Sequence, residues 1–210
     1  VLKGGRLTEQ ASLAGKSGSN QWFRAALFSS FPGKARELVE EFPDSAPPSL
    51  LEQSAKILTK EQPAEKMPFV IRELWDKKKG WGFAQRVAFL LGLPENLRKP
   101  YQQEIQPKAL AVSLNGKLPV ADRLSAIRLL ALSGRSKLLA LLRPSEPDEI
   151  REAVIRSLAS TNDPVLGKKL LALHPTLSPV DGAVVIDSLL SRKPFQSLVL
   201  KALESTALPL

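Results

Sequence analysis

The residues in this chain that could do chemistry are few and scattered. His174 is the only histidine, Tyr101 the only tyrosine, and there is no cysteine. A metal centre needs several His, Cys or clustered carboxylate ligands, and a nucleophile–base pair would have to draw on that single imidazole. His174 stands at a helix end before Pro175, where an imidazole can cap the last carbonyls. The adjacent carboxylates Glu40-Glu41 and Asp148-Glu149 fall on helices and so point in different directions. Gly15-Lys16-Ser17 has the form of the end of a phosphate-binding loop. Gln10 occupies the place of its first glycine, however, and no strand precedes it. A C-x-x-C-H haem attachment motif is absent. The expectation is a chain without metal or cofactor and without catalysis of its own.

One constellation does combine suggestive residue types. Trp75 and Trp81 bracket Lys77-Lys78-Lys79, and aromatic rings beside lysines can stack on bases while neutralising phosphates. The same residues describe a helix end with snorkelling lysines, which is the reading preferred for an excess of charge that is spread along the chain. Asp76, beside Trp75, would be the one acid available to a base-removing enzyme built on this spot. Trp22 is expected in the core, on the apolar face of its helix.

The elements that must position these residues are helices in pairs. Residues 120–133 with 137–142, 148–160 with 165–173, and 180–191 with 195–203 read as three copies of one unit. A step of 28 lays Arg123, Ile127, Arg128 and Leu130 on Arg151, Ile155, Arg156 and Leu158, and a step of 31 carries Ile155 and Leu158 to Ile186 and Leu189. Self-similarity at this period marks stacked helical repeats, because a lone helix pair cannot bury its apolar face. Another copy is expected near the other end. Arg24, Ala26, Leu27 and Phe28 match Arg151, Ala153, Val154 and Ile155, in a helix over 21–31 capped by Asn20 and broken by Pro32-Gly33. Between 43 and 117 the pattern is helical but degenerate, with helices expected over 49–60, 64–78, 81–91 and 100–115. Gly116 stands where a C-terminal cap glycine would. Residues 15–19 are expected as a loop. No alternating β-type pattern occurs. Seventeen prolines then punctuate many short helices, with Asp163-Pro164 and Ser178-Pro179 pairing an N-cap with a first-turn proline.

The architecture expected is therefore all-α, a right-handed α-solenoid forming one domain over 1–210, with degenerate repeats over 1–118 and clear ones over 119–205. With 210 residues, 43 % of them hydrophobic, there is ample material for a core. The longest apolar runs fall far short of the roughly 18 residues that span a bilayer. Thirty Lys and Arg against 21 Asp and Glu give a formal charge of +9, spread over the chain rather than concentrated. The opening Val1-Leu2-Lys3-Gly4-Gly5 and the ending Leu208-Pro209-Leu210 read as the cut ends of a piece of a longer protein.

The run Ala153-Val154-Ile155-Arg156-Ser157-Leu158 and the stretch from Leu170-Leu171-Ala172-Leu173-His174 to Pro175-Thr176-Leu177-Ser178-Pro179 resemble HEAT-like repeats. With Leu189-Leu190-Ser191-Arg192-Lys193-Pro194 following, the chain looks like the helical region of large exported planctomycete proteins. There a β-propeller resembling sugar dehydrogenases precedes HEAT-like repeats and a cytochrome c-type domain follows. The resemblance covers residues 20–42 and 119–205. It implies an extracytoplasmic spacer between redox-type domains, and no catalytic or haem-binding residue carries over to this chain. The function expected is a monomeric, non-catalytic interaction or spacer module whose partners are proteins or neighbouring domains. The alternative is a basic solenoid that binds nucleic acid, in the manner of a HEAT-like DNA-repair glycosylase, through Trp75, Lys77, Lys78, Lys79 and Trp81.

Overall fold

The computed structural model describes residues 2–161 and 163–204, with side chains from residue 7 onward. The two ends that read as cuts, Val1 and residues 208–210, lie outside the described residues, as does residue 205 of the repeat region. Among the described residues the chain is all helical, without strands. Up to Ile105 it forms one compact unit and from Gln106 onward a second, whereas the sequence reads as one repeat domain that changes character at 118.

The first unit contains α1 (Leu2–Ser12), α2 (Ala14–Ser17), α3 (Gln21–Ser30), α4 (Ala35–Glu41), α5 (Pro48–Glu61), α6 (Met67–Lys77) and α7 (Phe83–Gly92). α8 (Glu95–Leu114) gives its first half to this unit and its second half to the next. The caps follow local chemistry. Asn20 accepts hydrogen bonds from the amides of Trp22 and Phe23, satisfying donors that a helix start leaves free. The carboxylate of Glu61, at the end of α5, reaches the amides of Gly33 and Ala35, both at 2.8 Å. Negative charge is thereby placed at the positive end of α4. Gly33 has φ of 73°, the left-handed turn that the Pro32-Gly33 break requires.

The core of this unit is an apolar stripe on each helix, including Leu51, Ala55 and Leu58 of α5, Ile71 and Leu74 of α6, and Phe89 and Leu90 of α7, all fully buried. Each large aliphatic or aromatic side chain contributes about 1.5–3 kcal/mol. α5 and α7 approach so closely that a Cβ on Gly92 would lie 2.2 Å from the backbone oxygen of Glu52. Trp22 departs from expectation, being 75 % exposed. The inward stripe of α3 is Phe23 and Leu27, and Trp22 sits one residue, about 100°, round the helix from it. Residues 15–17, expected within a loop, lie in the short helix α2.

The second unit holds α9 (Val120–Ser133), a 3-10 helix (Arg135–Leu141), α10 (Asp148–Ala159), α11 (Pro164–Leu173), a 3-10 turn (His174–Thr176), α12 (Pro179–Leu190) and α13 (Lys193–Glu204). α10 packs against α9, α11 and α12, while α11 packs against α13. Asp163 and Ser178 cap α11 and α12 as expected, accepting from the amides of Val165 and Asp181. Ile127 and Ile155 are fully buried and Ile186 is half-buried. The three positions thus differ in burial, the one on α12 being only partly covered. The partner of α9 is a 3-10 rather than an α-helix. Gly116 is not in the left-handed region, and α8 has already ended at Leu114. A Cβ on Gly167 would meet the ring of buried Phe195 at 2.7 Å, so the α11–α13 contact needs a glycine.

Candidate functional site

The Trp75–Trp81 turn is built from the end of α6 and the start of α7. Trp75 is 6 % exposed and Trp81 3 %. The Trp75 ring packs on Tyr101, centroids 5.1 Å apart, and under the Arg86 guanidinium at 4.7 Å. The Trp81 ring packs on Phe89 at 5.3 Å. Both indoles are therefore used inside the unit, leaving no face on which a base could stack. The three lysines diverge. Lys78 turns inward and donates to the carbonyl of Phe42 at 2.8 Å, and burial lowers its pKa against the opposing pull of Asp44, Glu41 and Glu40. Lys77 lies 3.7 Å from Glu40, and Lys79 is exposed. Asp76 is exposed, 4.0 Å from Arg72, rather than enclosed in a groove as a catalytic acid would be.

These residues fasten a turn. Gly80 lies where a Cβ would run into the Asp44 side chain. Gln85 donates to the carbonyls of Asp44 and Ala46 and accepts from the Gly82 amide at 2.6 Å. Arg86 donates to the Lys78 carbonyl at 3.1 Å. The basic turn is thus pinned to the α4–α5 connection.

A cleft of about 810 Å³ is lined by Leu7 of α1, Phe23 and Leu27 of α3, and Phe31 and Lys34 beyond it. Lys34 is paired with Glu37 at 2.7 Å, and its polar groups do not converge on a reacting position. His174 also differs from expectation. It begins the 3-10 turn, its Nδ1 is buried without a hydrogen bond, and its ring lies beside Gly182 instead of capping carbonyls. Gly15-Lys16-Ser17 is helical, in α2. Among the described residues no group of three or more His, Cys, Asp or Glu could hold a metal, and no helix is long and apolar enough to cross a membrane.

The second unit carries a feature that the sequence reading did not single out. Its buried cations are arginines, each tied to carboxylates or carbonyls. Arg123 donates to the Ser113 carbonyl at 3.0 Å and to Glu146. Arg151 donates from Nε to Asp181 at 2.8 Å, from Nη1 to the Glu146 carbonyl and from Nη2 to Asp148 at 2.6 Å. Asp181 also accepts from Ser178 at 2.6 Å. The bond to Asp181, with that to Asp148, raises the guanidinium's pKa. No family model matches the chain, and neither a curated protein nor a solved structure is detectably similar to it.

The exposed cations of this unit are distributed unevenly. α9, α10 and α12 carry all of the carboxylates in its α-helices except Glu204. α11 has none, and α13 has only Glu204, its last residue. Lys168 and Lys169 of α11 and Lys193 and Lys201 of α13 are exposed, and none has a carboxylate within 4 Å among the described residues. The signal was present in the sequence as the lack of Asp and Glu over residues 164–173 and 193–203. It was hidden in the charge summed over the whole chain.

Proposed function

We propose that this chain is a non-catalytic interaction or spacer module, a solenoid of HEAT-like helix pairs belonging to a larger protein. The observation that carries this reading is a bond pattern repeated in both units. Arg24 donates from Nη1 to the carbonyl five residues back, Ser19, and from Nε to Gln53, 29 residues ahead. Arg151 donates from Nη1 to the carbonyl five residues back, Glu146, and from Nε to Asp181, 30 residues ahead. An arginine that fastens its own entry turn and a helix about 30 residues ahead is a device suited to stacking equivalent units; Arg123 departs from it, donating to the Ser113 carbonyl and to Glu146. The packing of α10 on both α9 and α12, and of α11 on α13, supports the same reading. On the resemblance to exported planctomycete proteins, the module would stand outside the cytoplasm between a propeller and a cytochrome c-type domain.

Burial of Trp75 and Trp81 weighs against the alternative of a base-removing DNA-binding solenoid. The test is direct. Incubated with a duplex carrying an alkylated base, the protein should release no base. It should bind oligonucleotides only at about 10⁻⁴ to 10⁻⁶ M at physiological salt, the level of non-specific electrostatic contact. Base release that Asp76→Asn abolishes, or sub-micromolar binding, would overturn the module reading.

A further inference from the structure

We propose that the exposed faces of α11 and α13 form the docking surface of this module, and that the partner is an acidic segment of another protein. The proposal rests on the module reading and adds the face and the chemistry of what it binds. α11 buries Leu166, Gly167, Leu170 and Leu171 and turns Val165, Lys168, Lys169 and Ala172 outward. These four follow the i, i+3, i+4, i+7 spacing of one helix face. α13 buries Phe195 and Val199 and turns Lys193, Gln196, Ser197, Leu200, Lys201 and, at its end, Glu204 outward. The two helices touch at Gly167 and Phe195, so their outer faces belong to adjacent elements of one unit.

Three properties of this surface select the partner. Its four lysines outnumber the single acid, Glu204, and have no carboxylate within 4 Å among the described residues, unlike Lys34, Lys56 and Lys77 in the first unit, each within reach of a glutamate. Ion pairing there is left for an external anion, and complementary charge steers encounter and fixes register. Between the lysines stand aliphatic side chains, with Val165 56 % and Leu200 54 % exposed, which a ligand with apolar residues between its carboxylates would cover. The outward residues of both helices include no aromatic ring, which a single-stranded nucleic acid would need for stacking and a bilayer interface favours. An acidic-and-apolar peptide satisfies all three properties.

The experiment uses the full chain and a fluorescein-labelled peptide of alternating glutamate and leucine, titrated by anisotropy at low and at physiological salt. Wild type should bind, more weakly as salt rises. The variant Lys168→Gln/Lys169→Gln/Lys193→Gln/Lys201→Gln should lose at least about tenfold in affinity, since exposed pairs contribute modestly one by one and add across four sites. Arginine at the same four positions should retain binding, and Lys77→Gln/Lys79→Gln should bind as wild type. Unchanged helicity by circular dichroism separates lost contact from lost fold. Equal loss in the Lys77/Lys79 variant, or no loss in the fourfold variant, overturns the proposed face while leaving the module reading standing. Tighter binding of an oligonucleotide or of phosphatidylserine vesicles, abolished by the fourfold variant, overturns the proposed partner. Base release in the preceding assay would instead remove the module reading itself.

Discussion

Replacing Arg151 by Met should destabilise the second unit by about 3–5 kcal/mol, the range found when one partner of a buried ion pair is removed. The Arg151 side chain is 10 % exposed and that of Asp181 5 %, so solvent screens the pair little. Methionine keeps most of the aliphatic volume, and the cost is therefore electrostatic. Asp181 would retain only the Ser178 hydroxyl at 2.6 Å while its charge stays buried. The bond to Asp148 adds little, about 0–1 kcal/mol, because that carboxylate is 87 % exposed. Against a typical total stability of about 5–15 kcal/mol, the loss is large. Urea unfolding followed by far-ultraviolet circular dichroism measures it, with the midpoint falling and the slope unchanged. Two further variants isolate the cause. Arg156→Met removes a pair with Glu152 whose members are 56 % and 48 % exposed, and should cost no more than about 1 kcal/mol. Arg151→Met/Asp181→Leu removes both buried charges and should recover most of the loss. If Arg151→Met costs no more than Arg156→Met, or if the double variant is worse than the single one, the arginine does not hold successive helices together as argued.

Two other predictions concern the first unit. Gly92→Ala should cost more than the about 1–3 kcal/mol usual for overpacking, because its Cβ meets the backbone of Glu52 rather than a movable side chain. Gly80→Ala, facing only exposed Asp44, should change the melting temperature little. Burial depresses the Lys78 pKa in the folded protein, so the unfolded chain binds more protons as the folded group titrates. Stability should rise with pH through that depressed value and level off near the ordinary 10.5. Tyr101, raised from 10.0 by desolvation, acts in the opposite sense above its ordinary value. The rise should therefore be clearest in Tyr101→Phe, and absent from Tyr101→Phe/Lys78→Met, in denaturation measured across alkaline pH.

What the sequence made legible was local. Helix starts at Asn20, Asp163 and Ser178 carry their own hydrogen-bond acceptors, so the decision lies within a few residues. The 28-residue step from Arg123 to Arg151 joins two buried positions, whose partners differ. What was not legible depended on contacts made at a distance. Trp22 and Phe23 are adjacent and both aromatic, and only the position of the neighbouring helices decides which is covered. Trp75 and Trp81 beside three lysines are compatible with an exposed platform until Tyr101, Arg86 and Phe89 arrive from α7 and α8 to occupy the rings. α8 runs through Pro100 and Pro107, each of which removes a backbone donor, so residue-by-residue punctuation placed its start too late. The lysine face of α11 and α13 required knowing which helices pair before charge could be counted by face.

The placement of the aromatic residues makes the two units optically distinct. All three tryptophans and the single tyrosine lie at or before residue 101, and Phe195 is the only aromatic beyond Ile105. Indole emission therefore reports on the first unit alone. Trp22, 75 % exposed, is open to a collisional quencher, while Trp75 and Trp81 are shielded. The second unit is silent in that channel yet contributes its helices to the peptide circular dichroism. Fluorescence and dichroism recorded on one sample thus follow different parts of the chain. Superimposable transitions would mean that the two units melt together, and separated ones would assign each step without a label.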